Sequence, residues 1–188
     1  MSMLSKFKQS VTEKLAPVGN IIGRKITPNQ LTLTGLIFGL FAFFFIVNGK
    51  TLYGAFFVLL SGIFDMLDGL VARTQRMTTN FGGFFDSVID RYVDILLFIA
   101  LGLYGIDWLL IAVAMSGALL VSYTRARAEK FLEKCDVGIA ERGERMIILF
   151  VSMISGYIYE GVLLIAILSH LTALHRIFYT FQKSKTTQ

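Results

Sequence analysis

Five aspartates crowd one stretch of the chain, FDMLDGLVARTQRMTTNFGGFFDSVIDRYVD, from Phe64 to Asp94. Asp65 and Asp68 stand three residues apart and Asp86 and Asp90 four apart, so on helices each pair occupies a single face. The connection between the pairs, RTQRMTTNFGG, is short and polar, which makes the two helices antiparallel neighbours with both pairs at the same end. Four carboxylates gathered there repel one another strongly, and only protons or cations relieve that. An all-oxygen donor set with no His or Cys nearby suits a hard ion such as Mg²⁺, Mn²⁺ or Ca²⁺. Four acidic ligands are enough for two ions about 4 Å apart, the arrangement that clamps phosphoryl oxygens during a displacement. Gly69 and Ala72 lie on the flank of Asp65 and Asp68, and Gly82 and Gly83 open the next helix. Small residues at these positions admit either a packed helix or a flat ligand. Asp94 continues the four-residue step but rotates roughly 80° off the face, so it is expected to pair with Arg91 or with a neighbouring helix.

The elements that must position these groups are apolar. The chain has 188 residues, 55% of them hydrophobic and only 16% charged, with a mean hydropathy of +0.66. A soluble domain carries about 25% charged residues, so a membrane is the expected solvent. Apolar runs occur at about Leu31 to Val47, Leu52 to Ala72, Phe84 to Leu103, Trp108 to Ser122, Met146 to Tyr159 and Gly161 to Phe181. They predict an all-α integral membrane protein of about six transmembrane helices, because an open sheet edge cannot be satisfied in lipid. The alternating pattern of an outer-membrane barrel is absent.

Lys and Arg collect on one side. Lys6, Lys8, Lys14, Arg24 and Lys25 precede the first run, Arg73 and Arg76 follow the second, Arg125 through Arg145 lie between the fourth and fifth, and Lys183 and Lys185 end the chain. The other side receives Lys50 alone, with Asp107 and Glu160. The positive-inside rule therefore puts both termini, and Cys135, in the cytoplasm. Residues 1–26 are too polar to span. Met3, Leu4, Phe7, Val11, Leu15, Val18 and Ile22 recur at three- and four-residue spacing with lysines between them, which predicts an amphipathic juxtamembrane helix in the interface, bent or restarted at Pro17. No continuous apolar core or small-residue cleavage site marks it as a signal peptide. The six-helix catalytic domain is expected over 27–182, with a short polar tail over 183–188. The first span begins at TPNQLT, with Thr27 as N-cap, Pro28 at the first helical position and Gln30 able to close a capping box. Asn29 is read first as part of this helix start and then as a candidate binding residue.

With these residues in hand, Asp65-x2-Asp68-Gly69-x2-Ala72-Arg73-x8-Gly82-x3-Asp86-x3-Asp90 resembles, at every fixed position, the signature of the CDP-alcohol phosphotransferases, also called CDP-alcohol phosphatidyltransferases. The TPNQLT segment is similar to that family as well. The resemblance implies a six-helix membrane enzyme, usually a homodimer, that moves a phosphatidyl-type group from a CDP-linked lipid to an alcohol and releases CMP. It also implies that Asp65, Asp68, Asp86 and Asp90 hold divalent metal, Mg²⁺ or Mn²⁺ in two ions, and that Asp90 is the general base. Asn29, Asp68, Gly69, Ala72, Arg73 and Gly82 become the nucleotide-binding candidates: Gly69 and Ala72 let the nucleotide lie against the helix and Arg73 reaches a phosphate.

The acceptor side is read from SYTRARAEKFLEKCDVGIAERGERM, Ser122 to Met146, which carries Arg125, Arg127, Arg142 and Arg145, and from Arg176 in the last run. A charge inside a span demands a partner, and arginines converging on one pocket suit a phosphate. Glu129, Glu141 and Glu144 are available to pair with them. SYTRARAE followed by VGIAERGER is similar to the phosphatidylinositol phosphate and archaetidylinositol phosphate synthases. That implies inositol 1-phosphate as acceptor, held by Arg125, Arg127, Arg142 and Arg176, and CDP-diacylglycerol or CDP-archaeol as donor. Glycerol 3-phosphate, as in phosphatidylglycerol phosphate synthases, is the alternative acceptor. Some members of the family carry an added cytidylyltransferase-type domain; this chain lacks one and is expected not to make its own donor. A divalent-cation or proton transporter is the rival of another class, weakened because the far halves of the spans offer no polar path. Nucleic-acid binding is discounted, since topology accounts for the basic pI of about 9.4.

Overall fold

The structure is a computed structural model that describes residues 15–186. The described residues form seven helices and no strand: α1 over residues 15–23, α2 Pro28–Val47, α3 Thr51–Thr74, α4 Asn80–Tyr104, α5 Trp108–Ala128, α6 Arg142–Ser155 and α7 Ile158–Thr186. Most of the expected interfacial helix falls on residues 1–14, outside the described residues; its remainder is α1, helical on both sides of Pro17. Four helices, α2, α3, α5 and α7, are long and apolar enough to cross a membrane. Two of the six expected spans fall short of that measure for different reasons. Up to its middle α4 carries Asp86, Asp90 and Arg91, with Asp94 just beyond, and α6 has 14 residues, about 21 Å at 1.5 Å each, against a hydrocarbon core of about 30 Å. Phe44, Phe56, Leu109, Ile167 and Phe178 are exposed, a surface suited to lipid rather than water.

Local chemistry sets the ends of these helices. The backbone N–H of Thr27 donates to Gln30 Oε1 at 2.9 Å, closing one arm of the anticipated capping box behind Pro28. At the other end of the acidic hairpin, Arg76 takes a left-handed φ of 55°, and the Met77 N–H reaches back to the Ala72 carbonyl at 2.9 Å. This closure of α3 normally uses glycine; an arginine there costs about 1–2 kcal/mol. Thr79 then caps α4, its Oγ1 accepting the Gly82 N–H at 2.9 Å. Residues 75–79 are thus held at both ends, and this fixes the turn between the two aspartate pairs.

The chain divides into two compact units. One takes the described part of Met1–Phe38 with Leu60–Val93, the other Gly39–Leu59 with the described part of Asp94–Gln188. In the first, Leu31, Leu70 and Val71 are buried, Ser61 Oγ donates to the Gly35 carbonyl at 2.9 Å, and the rings of Phe38 and Phe64 meet edge-on at 5.0 Å. Gln75 Nε2 donates to Asn20 Oδ1 at 3.0 Å, which ties α1 to the end of α3. In the second, α7 packs on both α5 and α6 around Ile111, Ala118, Met153, Val162 and Ile165.

The last two helices divide earlier than the apolar runs anticipate. Gly156 adopts a φ of 81°, which an L side chain resists, so α6 stops at Ser155 and α7 starts at Ile158. At the far end α7 continues through residues 183–186, anticipated as tail. Lys183 and Lys185 in its last turn complement the helix dipole, and Lys185 Nζ lies 4.4 Å from the Phe181 ring centroid.

The α6–α7 contact allows no side chain at Gly161, where a Cβ would strike Ser152. Gly161→Val should therefore cost about 1–3 kcal/mol by overpacking, seen as a lower midpoint in thermal melts of the detergent-solubilised chain; an unchanged midpoint would contradict the close approach.

Candidate active site

Carboxylates of Asp65 and Asp68 in α3 and of Asp86 in α4 bring three oxygens within 4.8 Å of one another. Asp68 is 5% exposed and accepts a hydrogen bond from Thr32 Oγ1 in α2 at 2.6 Å. Asp90, one turn beyond Asp86, is not a member of this trio; Arg91 Nη1 lies 3.7 Å from its Oδ2. The donor set fits a hard divalent ion: three carboxylates at mutual distances a single cation can bridge, with no nitrogen or sulfur ligand.

Beside the trio is a pocket of about 180 Å³. Its walls include Asp86 and all six residues the sequence proposes for the nucleotide: Asn29, Asp68, Gly69, Ala72, Arg73 and Gly82. The two glycines differ in their surroundings. A Cβ on Gly69 would approach only the Arg73 guanidinium, at 3.1 Å, so no neighbouring helix demands the glycine. At Gly82 the nearest atoms are Thr79 Oγ1 and, at 3.5 Å, Asn29 Oδ1, which places Asn29 beside the start of α4. Gly83 lines the pocket too, and so do residues that sequence reasoning passed over, among them Thr32, Thr78 and Thr79. Thr32 was within reach of the sequence: it closes TPNQLT three residues after Asn29, hence on the same face of α2. Nothing in the spacing reveals Thr78 and Thr79, which the left-handed turn at Arg76 brings in.

In the second unit the arginines take separate stations. Arg176 is 1% exposed in α7. Its Nε donates to the Val137 carbonyl at 2.8 Å and its Nη1 to the Val121 carbonyl, while Nη2 meets Glu141 Oε1 at 3.2 Å. Arg125, near the end of α5, is ringed by carboxylates: Nε to Glu129 at 3.0 Å, Nη2 to Asp136 at 3.1 Å and Nη1 to the same Glu141 Oε1 at 3.3 Å. One carboxylate oxygen therefore joins Arg125 to Arg176. Arg142 pairs instead with Asp94, Nε to Oδ1 at 3.6 Å. Arg127 lines a groove of about 570 Å³ together with Arg176, Leu120, Phe131, Ile177 and Phe181.

Asp94 has its expected partner on a neighbouring helix rather than in Arg91. Its Oδ2 accepts from Arg145 Nη2 at 2.5 Å, and Arg145 Nη1 donates to the Ala140 carbonyl at 2.9 Å. Both residues are buried, and removing Asp94 would leave the Arg145 guanidinium buried without its counter-ion, costing about 3–5 kcal/mol. The loop before α6 is held by the same logic: Thr172 Oγ1 accepts the N–H groups of Ile139 and Ala140 at 3.2 and 3.1 Å. Cys135 is buried within this loop, and burial pushes its thiol above the usual range.

Residues 25–177 match the family described as CDP-alcohol phosphatidyltransferase. The chain is 35% identical to archaetidylinositol phosphate synthase of Methanothermobacter thermautotrophicus, over 98% of this chain and 97% of that one. It is 39% identical to archaetidylinositol phosphate synthase of Pyrococcus horikoshii, over 94% and 95%. Among solved structures, phosphatidylinositol phosphate synthase of Mycobacterium tuberculosis with CDP-DAG bound is similar at a TM-score of 0.76 and 27% identity, covering 88% of this chain and 92% of that one. The same synthase in complex with manganese and citrate is similar at the same TM-score and identity, covering 88% of each chain.

Thr32→Val deletes the hydroxyl that holds the buried Asp68 carboxylate while keeping its volume. Calorimetric titration of Mn²⁺ into the purified chain should then show affinity about 10- to 100-fold weaker than wild type, the usual effect of losing a group that orients a ligand. Equal affinity would remove Thr32 from the site.

Proposed function

The chain belongs to the CDP-alcohol phosphatidyltransferase family, and from that membership we propose that it transfers the phosphatidyl-type group of a CDP-linked lipid to inositol 1-phosphate and releases CMP. The observation that carries the proposal is the carboxylate trio of Asp65, Asp68 and Asp86 beside a pocket walled by every nucleotide candidate. The choice of acceptor is supported by Arg125 and Arg176 meeting at one anion and by relatives named for inositol phosphate lipids.

In this account the CDP group enters the 180 Å³ pocket. Its flat face lies against Gly69 and Ala72, and Arg73 and Asn29 supply polar contacts. Asp65, Asp68, Asp86 and Asp90 would hold two divalent ions, Mg²⁺ or Mn²⁺, which when bound neutralise the pyrophosphate and the departing phosphate. Asp90 takes the proton of the attacking hydroxyl. The hydroxyl oxygen bonds to the phosphorus that bears the lipid, the pyrophosphate bond to that phosphorus breaks, and CMP leaves with the bridging oxygen. The acceptor's own phosphate is anchored by Arg125, Arg142 and Arg176, with Arg127 at the margin, through the paired hydrogen bonds that guanidinium groups offer.

The enzyme works as a homodimer in the cell membrane, with six crossings and the site on the cytoplasmic face. The lopsided distribution of Lys and Arg supports the orientation of the site, and the family resemblance supports the homodimer. The lipid tails are either diacyl or archaeol-type, since apolar helix surfaces accept both.

The test is CMP release by the purified chain with CDP-archaeol or CDP-diacylglycerol and Mg²⁺, offering inositol 1-phosphate, free inositol, glycerol 3-phosphate or serine. Turnover is expected with inositol 1-phosphate, and Asp90→Asn should lower kcat by at least about 100-fold. Turnover confined to glycerol 3-phosphate would overturn the acceptor, and full activity of Asp90→Asn would overturn the base.

A further inference from the structure

Glu141 occupies the N-cap position of α6, where a short polar side chain usually accepts first-turn N–H groups, yet its side chain makes no capping bond. It is spent elsewhere. Its Oε1 accepts both from Arg125 Nη1 at 3.3 Å and from Arg176 Nη2 at 3.2 Å. The two guanidinium groups thereby define a point that holds one anionic oxygen between them. Arg176 stays aimed at that point whatever sits there, because the carbonyls of Val121 and Val137 fix its other nitrogens and its side chain is 1% exposed. Glu141 is more accessible than Arg176, with its side chain 23% exposed.

We propose that Glu141 is a resident counter-anion: its carboxylate sits where the acceptor's phosphate binds, and acceptor binding is an exchange of phosphate in for Glu141 out. This rests on the assignment of Arg125 and Arg176 to the acceptor phosphate. The buried Arg176 guanidinium facing the half-exposed one of Arg125 is costly without an anion, so the site keeps one of its own. A phosphate monoester near neutral pH brings a charge of about −1.5 to −2 and several acceptor oxygens, enough to displace a single carboxylate oxygen. The displaced side chain moves toward the N-terminus of α6, where the helix dipole and uncapped N–H groups receive a negative charge. A neutral polyol offers no charge for the exchange. Glu141 thus acts as a positioning residue that selects for phosphorylated acceptors without touching the reacting atoms.

The experiment measures inorganic phosphate binding to the full purified chain by calorimetry, together with phosphate competition against inositol 1-phosphate in CMP release. Glu141→Gln keeps the shape and removes the charge. It should tighten phosphate binding about 3- to 10-fold and lower the KM for inositol 1-phosphate by a similar factor. A residue that merely braces the arginines would give the opposite sign, so weaker or unchanged phosphate binding in Glu141→Gln overturns the proposal. Glu141→Asp, one methylene shorter and better suited to cap α6, should shift in the same direction by less, and its sign decides the matter if the Gln chain does not fold. Arg125→Ala separates the two layers. If phosphate does not compete with the acceptor in wild type, or Arg125→Ala leaves phosphate affinity unchanged, the acceptor assignment fails and takes this proposal with it. If phosphate competes and Arg125→Ala weakens it while Glu141→Gln does not tighten it, the counter-anion role alone fails.

Discussion

Carboxylate repulsion governs this protein. Asp65, Asp68 and Asp86 bring oxygens within 4.8 Å of one another in a chain whose helices are otherwise apolar. Like charges at that range raise the free energy of the folded state unless a cation or protons intervene. The surroundings are arranged to sustain the cluster rather than disperse it. Thr32 holds Asp68, Thr79 caps the helix that carries Asp86, and the chain accepts a left-handed Arg76 to keep the two helices in their hairpin.

The acidic site was largely legible from spacing, because helical periodicity converts three- and four-residue intervals directly into shared faces. Asn29, Gly69, Ala72, Arg73 and Gly82 were read from the resemblance and line one pocket. Thr78 and Thr79 were not, since their place depends on a turn whose left-handed residue is an arginine and not the glycine that sequence patterns advertise. Helix ends followed the same divide. Thr27, Pro28 and Gln30 announced the start of α2, whereas the break at Gly156 was hidden inside an apolar run, where hydropathy says nothing about φ.

The arginines show where composition stops being informative. Sequence gives their number and an expected side of the membrane but not their partners, and the partners differ. Arg145 is neutralised by Asp94 in a buried pair, Arg176 spends two donors on backbone carbonyls, and Arg125 is ringed by three carboxylates. The buried charges of Asp94, Arg145 and Arg176 are thus matched group by group, as a low-dielectric setting requires. In one such match a single oxygen, Glu141 Oε1, accepts one hydrogen bond from each of two arginines.

The central claim is that the aspartates are gathered to hold divalent cations, and the direct measurement is Mn²⁺ binding to the purified full chain by electron paramagnetic resonance, compared with Asp68→Asn. Saturable binding that is lost in Asp68→Asn, with Mg²⁺ competing for the same sites, is the predicted result. A folded wild-type chain that binds no Mn²⁺ and still releases CMP from a CDP-lipid in the presence of chelator would contradict it.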